Sequence, residues 1–397
     1  MRILHICNDY SGSKVHCNLY KSLDALLDGQ TVYAYYDSSE VTSGNQIETE
    51  HSHVIYDDIQ NRYMRKVYPL NRWWVFHSLV KKIDVRNFDC IHATTLFSDG
   101  GIAYKLHKKY KIPYVVAVRA TDIKYIQRNP KLLMKTAKDI LLHASKIIFI
   151  NRVSYDNVAD YVRTVGIWKL VKDKFLIRPN GIDEYWLRNI YSEKRSNTHT
   201  VCYMGNFYVR KNVVRLIKAI EMLKASYPDI VLHIVGDGGP DETIVYDMAE
   251  NDSAIHLHGR ISDKETIRDI LRQNAIFAMP SIGETFGLVY VEALSQGLRL
   301  IYSKNEGIDG LFYKVGEAVD PKSVESIARG ICTIIDHYDD YNDNIEVGFS
   351  QFDWRNIARE YLGIYESAVE NEKQKIKENK TQAIMNKRIT PPRGENN

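Results

Sequence analysis

Short apolar runs punctuate this chain, most of them followed by a stretch with helical spacing. Residues 2–7 read as a buried strand, 8–13 as a loop and 15–27 as a helix. Further strand patterns stand at 31–36, 53–57, 90–95, 114–119 and 146–151. Strands that alternate with helices predict an α/β fold, a parallel sheet covered on both faces. Ligands on such sheets bind beyond the carboxyl ends of the strands. Three loops lie there, at 8–14, 92–98 and 119–124.

The pattern then starts again. Residues 175–183 end a strand in Pro179 and an Asn180-Gly181 turn. The polar segment 191–200 reads as a linker. A new α/β run follows, with strands at 201–204, 231–235, 255–258, 276–280 and 298–303. The domains expected are 1–185, 186–350, a closing helix at 351–372, and a basic, disordered tail at 373–397 that contains Pro391-Pro392.

Composition changes this picture little. A chain of 397 residues accommodates two domains. With 44% hydrophobic and 26% charged residues it has a soluble globular balance. No 18-residue apolar run suggests a membrane span, and the N-terminus enters strand pattern with no signal peptide. The five cysteines, Cys7, Cys17, Cys90, Cys202 and Cys332, show no CxxC spacing, which points to a reducing cytoplasm rather than a disulfide or zinc framework. The net charge is +3, and residues 371–397 hold seven Lys/Arg against three Glu, so the body of the chain is near neutral.

The most informative stretch is 281–297, SIGETFGLVYVEALSQG. It reads as a loop after a buried strand, then a helix from Gly287 stopped by Gly297, with Glu284 in the loop and Glu292 about two turns into the helix. A helix start offers unpaired N–H groups and partial positive charge, a seat for phosphate. Carboxylates accept hydrogen bonds from sugar hydroxyls. The set suits a nucleotide sugar; two glutamates eight apart also suit a solvated helix face.

In its G-E-T-F-G context this stretch resembles the E-x7-E signature of the family 4 retaining glycosyltransferases. RPNGID at 178–183, GNFYVRKN at 205–212, LHIVGDGG at 232–239 and HLHGRISDKE at 256–265 resemble the family's other motifs, in its order. The resemblance implies a GT-B architecture, two facing Rossmann-like domains with a cleft between them, and a C-terminal helix that crosses back to the first domain. It implies that Arg210 and Lys211 hold the donor diphosphate and Glu284 the transferred sugar, helped by the N–H groups of Phe286, Gly287 and Leu288. Glu292 then holds the ribose, and Arg260 and Ile261 meet the base. The family's Gly-Gly in the first loop is Ser11-Gly12-Ser13 here, which leaves Gly12 for backbone approach to the donor. Arg119 stands where many members have a histidine, so that histidine's role is not carried over. Arg119 either binds phosphate or an acidic acceptor, or pairs with Asp122. The donor implied is a UDP- or GDP-sugar, with no cofactor and no metal.

Other features have plainer readings. Gly236-Asp237-Gly238-Gly239 reads as a tight turn, because the dinucleotide spacing fails. His256 and His258 read as packing residues for want of a third ligand, Asp336, Asp339, Asp340 and Asp343 as a solvated loop, and His92 as a cleft residue or a strand-end histidine. Residues 61–82 hold six Lys/Arg, no acid, and Tyr63, Tyr68, Trp73, Trp74 and Phe76. They suit a peripheral membrane contact, or a helix with a basic outer face; nothing else resembles a nucleic-acid module. The function expected is transfer of a sugar to a glycan or lipid-linked acceptor in bacterial surface polysaccharide synthesis, in the cytoplasm at the inner membrane face. A nucleotide-sugar epimerase and a non-catalytic glycosyltransferase-like partner are the alternatives.

Overall fold

The computed structural model describes residues 1–37, 45, 47, 49–60, 67–128, 130–193, 195–341 and 348–389. The chain forms two compact units. The first takes Met1–Ile148, Tyr161–Leu176 and Ala358–Asn397; the second takes Phe149–Asp160 and Ile177–Ile357. The change of unit therefore falls at 176/177 rather than near 185, and 149–160 also joins the second unit.

The first unit carries β1 (Arg2–Ile6), β2 (Gly29–Tyr36), β3 (Ser52–Asp58), β4 (Cys90–Ala93), β5 (Tyr114–Val118), β6 (Lys146–Phe149) and β7 (Phe175–Ile177) in the order β3-β2-β1-β4-β5-β6-β7. β1 pairs in parallel with β2 on one side and β4 on the other, so the direction of winding switches there. β4 and β5 are buried along their whole length, as strands of a sheet covered on both faces must be.

Two histidines stand inside these apolar strands. His5 and His92 face each other at 3.2 Å between Nδ1 atoms, and His5 Nε2 meets Gln30 Oε1 at 3.0 Å. The Tyr365 hydroxyl lies 2.9 Å from His92 Nδ1. Burial pushes both histidines below their ordinary pKa, His5 to about 3. His92 is thus an interior residue under Tyr361 and Tyr365.

The second unit carries β8 (Thr200–Met204), β9 (Val231–Val235), β10 (Ile255–Leu257), β11 (Ile276–Ala278), β12 (Arg299–Ser303) and β13 (Gly316–Val319) in the order β10-β9-β8-β11-β12-β13. All five pairings are parallel. Here the switch lies between β8 and β11. β13 is short, half-buried and carries two non-apolar residues, so apolar patterning misses it.

Two expectations are corrected. Segment 191–200 is no free linker: Tyr191 N–H donates to Ser295 O (2.9 Å) and Arg195 Nε to Asn274 O (2.8 Å). Residue 194 lies outside the described residues. The tail from 373 is helical, not disordered: one helix runs Trp354–Ile389. Between 364 and 390 the sequence has no Gly or Pro and is rich in Glu, Lys and Gln, all good helix formers. Glu372, Lys375, Ile376 and Asn379 also line a hollow of about 500 Å³ with His107, Lys111 and His143. Residues 390–397, with Pro391-Pro392, lie outside the described residues.

The His92–Tyr365 contact predicts a measurable stability effect. Tyr365→Phe removes a buried hydrogen bond and should cost about 1–2 kcal/mol in urea unfolding, with the m-value unchanged. A shift under a few tenths would show that the hydroxyl contributes nothing.

Candidate functional site

The site is built on loops that leave the carboxyl ends of β8, β9, β10 and β11. After β8 the chain turns at Gly205 and closes a 3₁₀ turn at Val209–Lys211 before the helix Val213–Leu223. After β9 comes Gly236. A Cβ on Gly236 would stand 1.9 Å from Gly205 O, and its φ is +145°. Only glycine lets these two loops touch. The glycine run 236–239 is therefore more than the tight turn expected: with Gly205, Asn206 and Arg260-Ile261 it walls a cavity of about 450 Å³. Its strand-end position was the available signal. The structure thus brings Arg260 and Ile261 to one concave surface with the first loop of the unit.

The loop after β11 carries Glu284. Its carboxylate accepts a 2.7 Å hydrogen bond from Lys211 Nζ, with side chains only 10% and 16% exposed. So the expected sugar ligand and diphosphate ligand meet directly across the β8/β11 switch point, where open parallel sheets bind ligands. Arg210 is exposed, and its carbonyl accepts from Ile282 N–H (2.6 Å). Asn212, in the left-handed conformation at φ +65°, donates from Nδ2 to Pro280 O (2.9 Å) and Pro321 O (2.6 Å). Glu306 accepts from Glu284 N–H (2.9 Å) and also from Gly283 N–H. Asn151 Nδ2 donates to Thr285 O (2.7 Å) and Gly307 O (2.6 Å). Asn151, Asn212 and Glu306 were not singled out from sequence. They support the loops through backbone contacts, which no local spacing announces.

Gly287 caps the helix Leu288–Ser295 in the left-handed conformation, φ +80°. Phe286, Gly287 and Leu288 stand at its start, where backbone N–H groups lack intrahelical acceptors. Glu292 lies four residues past Leu288, just over one turn rather than two. Its neighbours Tyr290, Val291, Ala293 and Leu294 are buried. Burial, and then the charge of Asp183, pushes its carboxyl up to about 7, against the pull of Lys264 and Trp186. Lys264 Nζ itself donates to Asp183 (2.6 Å).

Gly12 and Arg119 belong to the first unit. A Cβ on Gly12 would meet open space, so the fold does not itself demand glycine there. Asp122 accepts the backbone N–H groups of Leu96 (3.0 Å), Phe97 (3.2 Å) and Arg119 (2.9 Å). Arg119 Nε donates to Thr94 O (3.2 Å). Its link with Asp122 is thus a backbone hydrogen bond plus a favourable field.

A third histidine does join His256 and His258: His233 Nδ1 lies 2.9 Å from His258 Nε2 and stacks on His256 at 5.0 Å. Sequence could not find it, because register on the neighbouring strand β9 supplies it. Among the described residues, Cys7, Asp9 and His16 form the group of three metal-ligating side chains whose ligand atoms all lie within 4.8 Å. Asp343 lies outside the described residues.

Residues 190–350 match the family model described as "Glycosyl transferases group 1". An uncharacterized glycosyltransferase of Methanocaldococcus jannaschii is 22% identical over 352 residues, 79% of this chain and 87% of that protein. A phosphatidyl-myo-inositol mannosyltransferase of Mycolicibacterium smegmatis is 26% identical over 226 residues, 53% of this chain and 56% of that protein. The chain thus spans little more than half of the second relative. An Anabaena protein solved with UDP and glucose superposes with a TM-score of 0.57 at 17% identity, over 96% of this chain and 100% of that one. The fold is GT-B, and the chain is a glycosyltransferase.

Glu292 generates a pH prediction. Its pKa rises from 4.5 to about 7 on folding, so the folded chain binds the proton more tightly. Stability from this residue is therefore lost as pH rises from the unfolded value through the folded one. Glu292→Gln should exceed the parent by about 3 kcal/mol at pH 8 and converge with it near the unfolded carboxyl pKa of ~4.5, by chemical unfolding at each pH. A gap that does not change with pH would contradict the burial effect.

Proposed function

We propose that this chain is a retaining family 4 glycosyltransferase that moves a sugar from a UDP- or GDP-sugar to a glycan or lipid-linked acceptor, in the building of a bacterial surface polysaccharide. The observation that carries the reading is the Lys211–Glu284 pair at the β8/β11 switch point, beside a helix start and with Glu292 just over a turn along that helix.

The mechanism we propose rests on that geometry and, for its proton transfer and retention, on the family resemblance. Arg210 and Lys211 bind the diphosphate and stabilise the charge that grows as it leaves. Lys211 exchanges its carboxylate partner for phosphate, which releases Glu284 to accept hydroxyl protons of the sugar. The N–H groups of Phe286, Gly287 and Leu288 orient the same region. Glu292 binds the ribose, and Arg260 and Ile261, on the cavity wall, meet the base. For Gly12 and Arg119, in the first unit, a part in holding donor or acceptor rests on the family resemblance alone. The departing phosphate takes the acceptor's proton on the face the sugar leaves, so no protein nucleophile is needed. The two cations supply the charge that a metal or cofactor would otherwise bring to the leaving group. The matched family model and relatives are transferases, which favours transfer over epimerisation.

A second observation supports a membrane contact. On the helix Tyr68–Lys82, Val75, Phe76 and Leu79 are buried, while Leu70, Trp73 and Trp74 are roughly half exposed. Arg72 lies over the Tyr68 ring at 4.0 Å, and Lys82 pairs with Asp57 at 2.5 Å. Exposed leucine and tryptophan side chains on a helix that ends in Lys81 and Lys82 suit an anionic lipid surface. Residues 61–66, with Tyr63, Arg65 and Lys66, lie outside the described residues. Among the described residues no helix is long and apolar enough to cross a membrane. We place the chain in the cytoplasm, at the inner membrane face.

Two experiments test these readings. Thermal shift against UDP-, GDP- and ADP-sugars identifies the donor, after which Lys211→Ala or Glu284→Ala should lower kcat at least about 10²-fold, with the anomeric configuration of the product read by NMR. Full turnover in either variant removes that residue's role, and inversion removes the retaining mechanism. In flotation with anionic liposomes the parent should rise with the vesicles and the Trp73→Ala/Trp74→Ala double variant should stay behind; equal behaviour rejects the membrane contact.

A further inference from the structure

A second cluster sits at the switch point of the other sheet. Cys7 follows directly on β1, Asp9 lies in the loop after it, and His16 lies in the first turn of the helix Lys14–Asp24. Cys7 Sγ is 3.5 Å from Asp9 Oδ1, and His16 Nε2 is 3.3 Å from the same oxygen. All three ligand atoms lie within 4.8 Å of one another. A zinc tetrahedron with bonds of about 2.0–2.3 Å has edges of roughly 3.4–3.7 Å, so two separations already match or nearly match an edge. The cluster has a direction as well. Cys7 and His16 are buried, whereas the Asp9 side chain is 60% exposed. Sulfur and nitrogen therefore lie inside and the carboxylate lies at the mouth.

We propose that Cys7, Asp9 and His16 bind a zinc-class divalent cation. Thiolate and imidazole favour zinc or cobalt over magnesium or calcium, which take oxygen ligands. Three protein ligands leave a fourth position, and the exposed Asp9 edge turns that position toward solvent. The Cys7 thiol gives its proton to solvent when the metal binds, so no redox step is involved. The field of Arg119 reaches Asp9 and His16 and opposes a dication, so the site binds more weakly than a closed four-ligand structural site. The Arg210 and Lys211 chemistry of the second unit does not enter this site, and the metal is not assigned to sugar transfer.

Cobalt is the probe. Tag-free full-length protein, stripped with chelator, is titrated with Co²⁺ and followed by absorption. One equivalent should bring up a near-ultraviolet thiolate-to-cobalt band together with the visible bands of tetrahedral cobalt, and Zn²⁺ should displace both. Cys7→Ser should abolish the thiolate band, and Cys202→Ser, a buried thiol of the second unit, should keep it. Asp9→Asn, at an exposed position, should keep the parent's melting temperature and weaken Co²⁺ binding at least about tenfold. No thiolate band in the parent, or a band that survives Cys7→Ser, overturns the assignment. Should Cys7→Ser not fold, unchanged affinity in both Asp9→Asn and His16→Gln overturns it instead.

Discussion

The second unit depends on how two opposite charges are kept out of water. Lys211 and Glu284 are mostly buried, and each makes the other's burial tolerable. A buried pair of this kind adds little net stability, yet losing one partner strands the other. The two loops that carry it leave β8 and β11, the strands that flank the switch point. The pair therefore stands at the place where the sheet opens. Ile282 N–H on Arg210 O and Asn212 Nδ2 on Pro280 O hold the same two loops together through backbone. A ligand with negative phosphate and hydroxyl groups can replace each side chain's partner without leaving either charge bare.

Around that pair, backbone does much of the shaping. Gly205 and Gly236 approach closer than any side chain permits, so one wall of the neighbouring cavity is main chain. The helix Leu288–Ser295 packs Tyr290, Val291, Ala293 and Leu294 inward, and Glu292 is the one acid in that run. Its high pKa follows from this company. The same packing makes its charge costly until a hydrogen-bonding partner arrives.

The first unit places polar groups in its interior on other terms. His5, His92, Gln30 and Tyr365 form one chain of contacts, and burial keeps the histidines neutral. Tyr365 comes from the helix Trp354–Ile389, so the end of the chain completes the core that the first strands begin. Asp122 gathers three backbone N–H groups and leaves Arg119 free to turn its Nε to Thr94 O.

The alternation of strand and helix was legible in the chain because continuous apolar runs mark strands buried on both faces, and among the described residues twelve strands stood near their predicted places. The stretch around Glu284 and Glu292 was legible too, because strand end, loop and capped helix are local events. Distance in sequence hid the rest. Lys211 and Glu284 stand 73 residues apart, and only the β8/β11 pairing makes them neighbours. His233 joined His256 by register, Glu306 reached Glu284 N–H from the loop after β12, and the polar tail became helix through propensity that composition masks. The sequence by itself determined which segments are apolar and where they break. The tertiary structure alone decided which polar groups meet, because a parallel sheet joins strands that are remote along the chain.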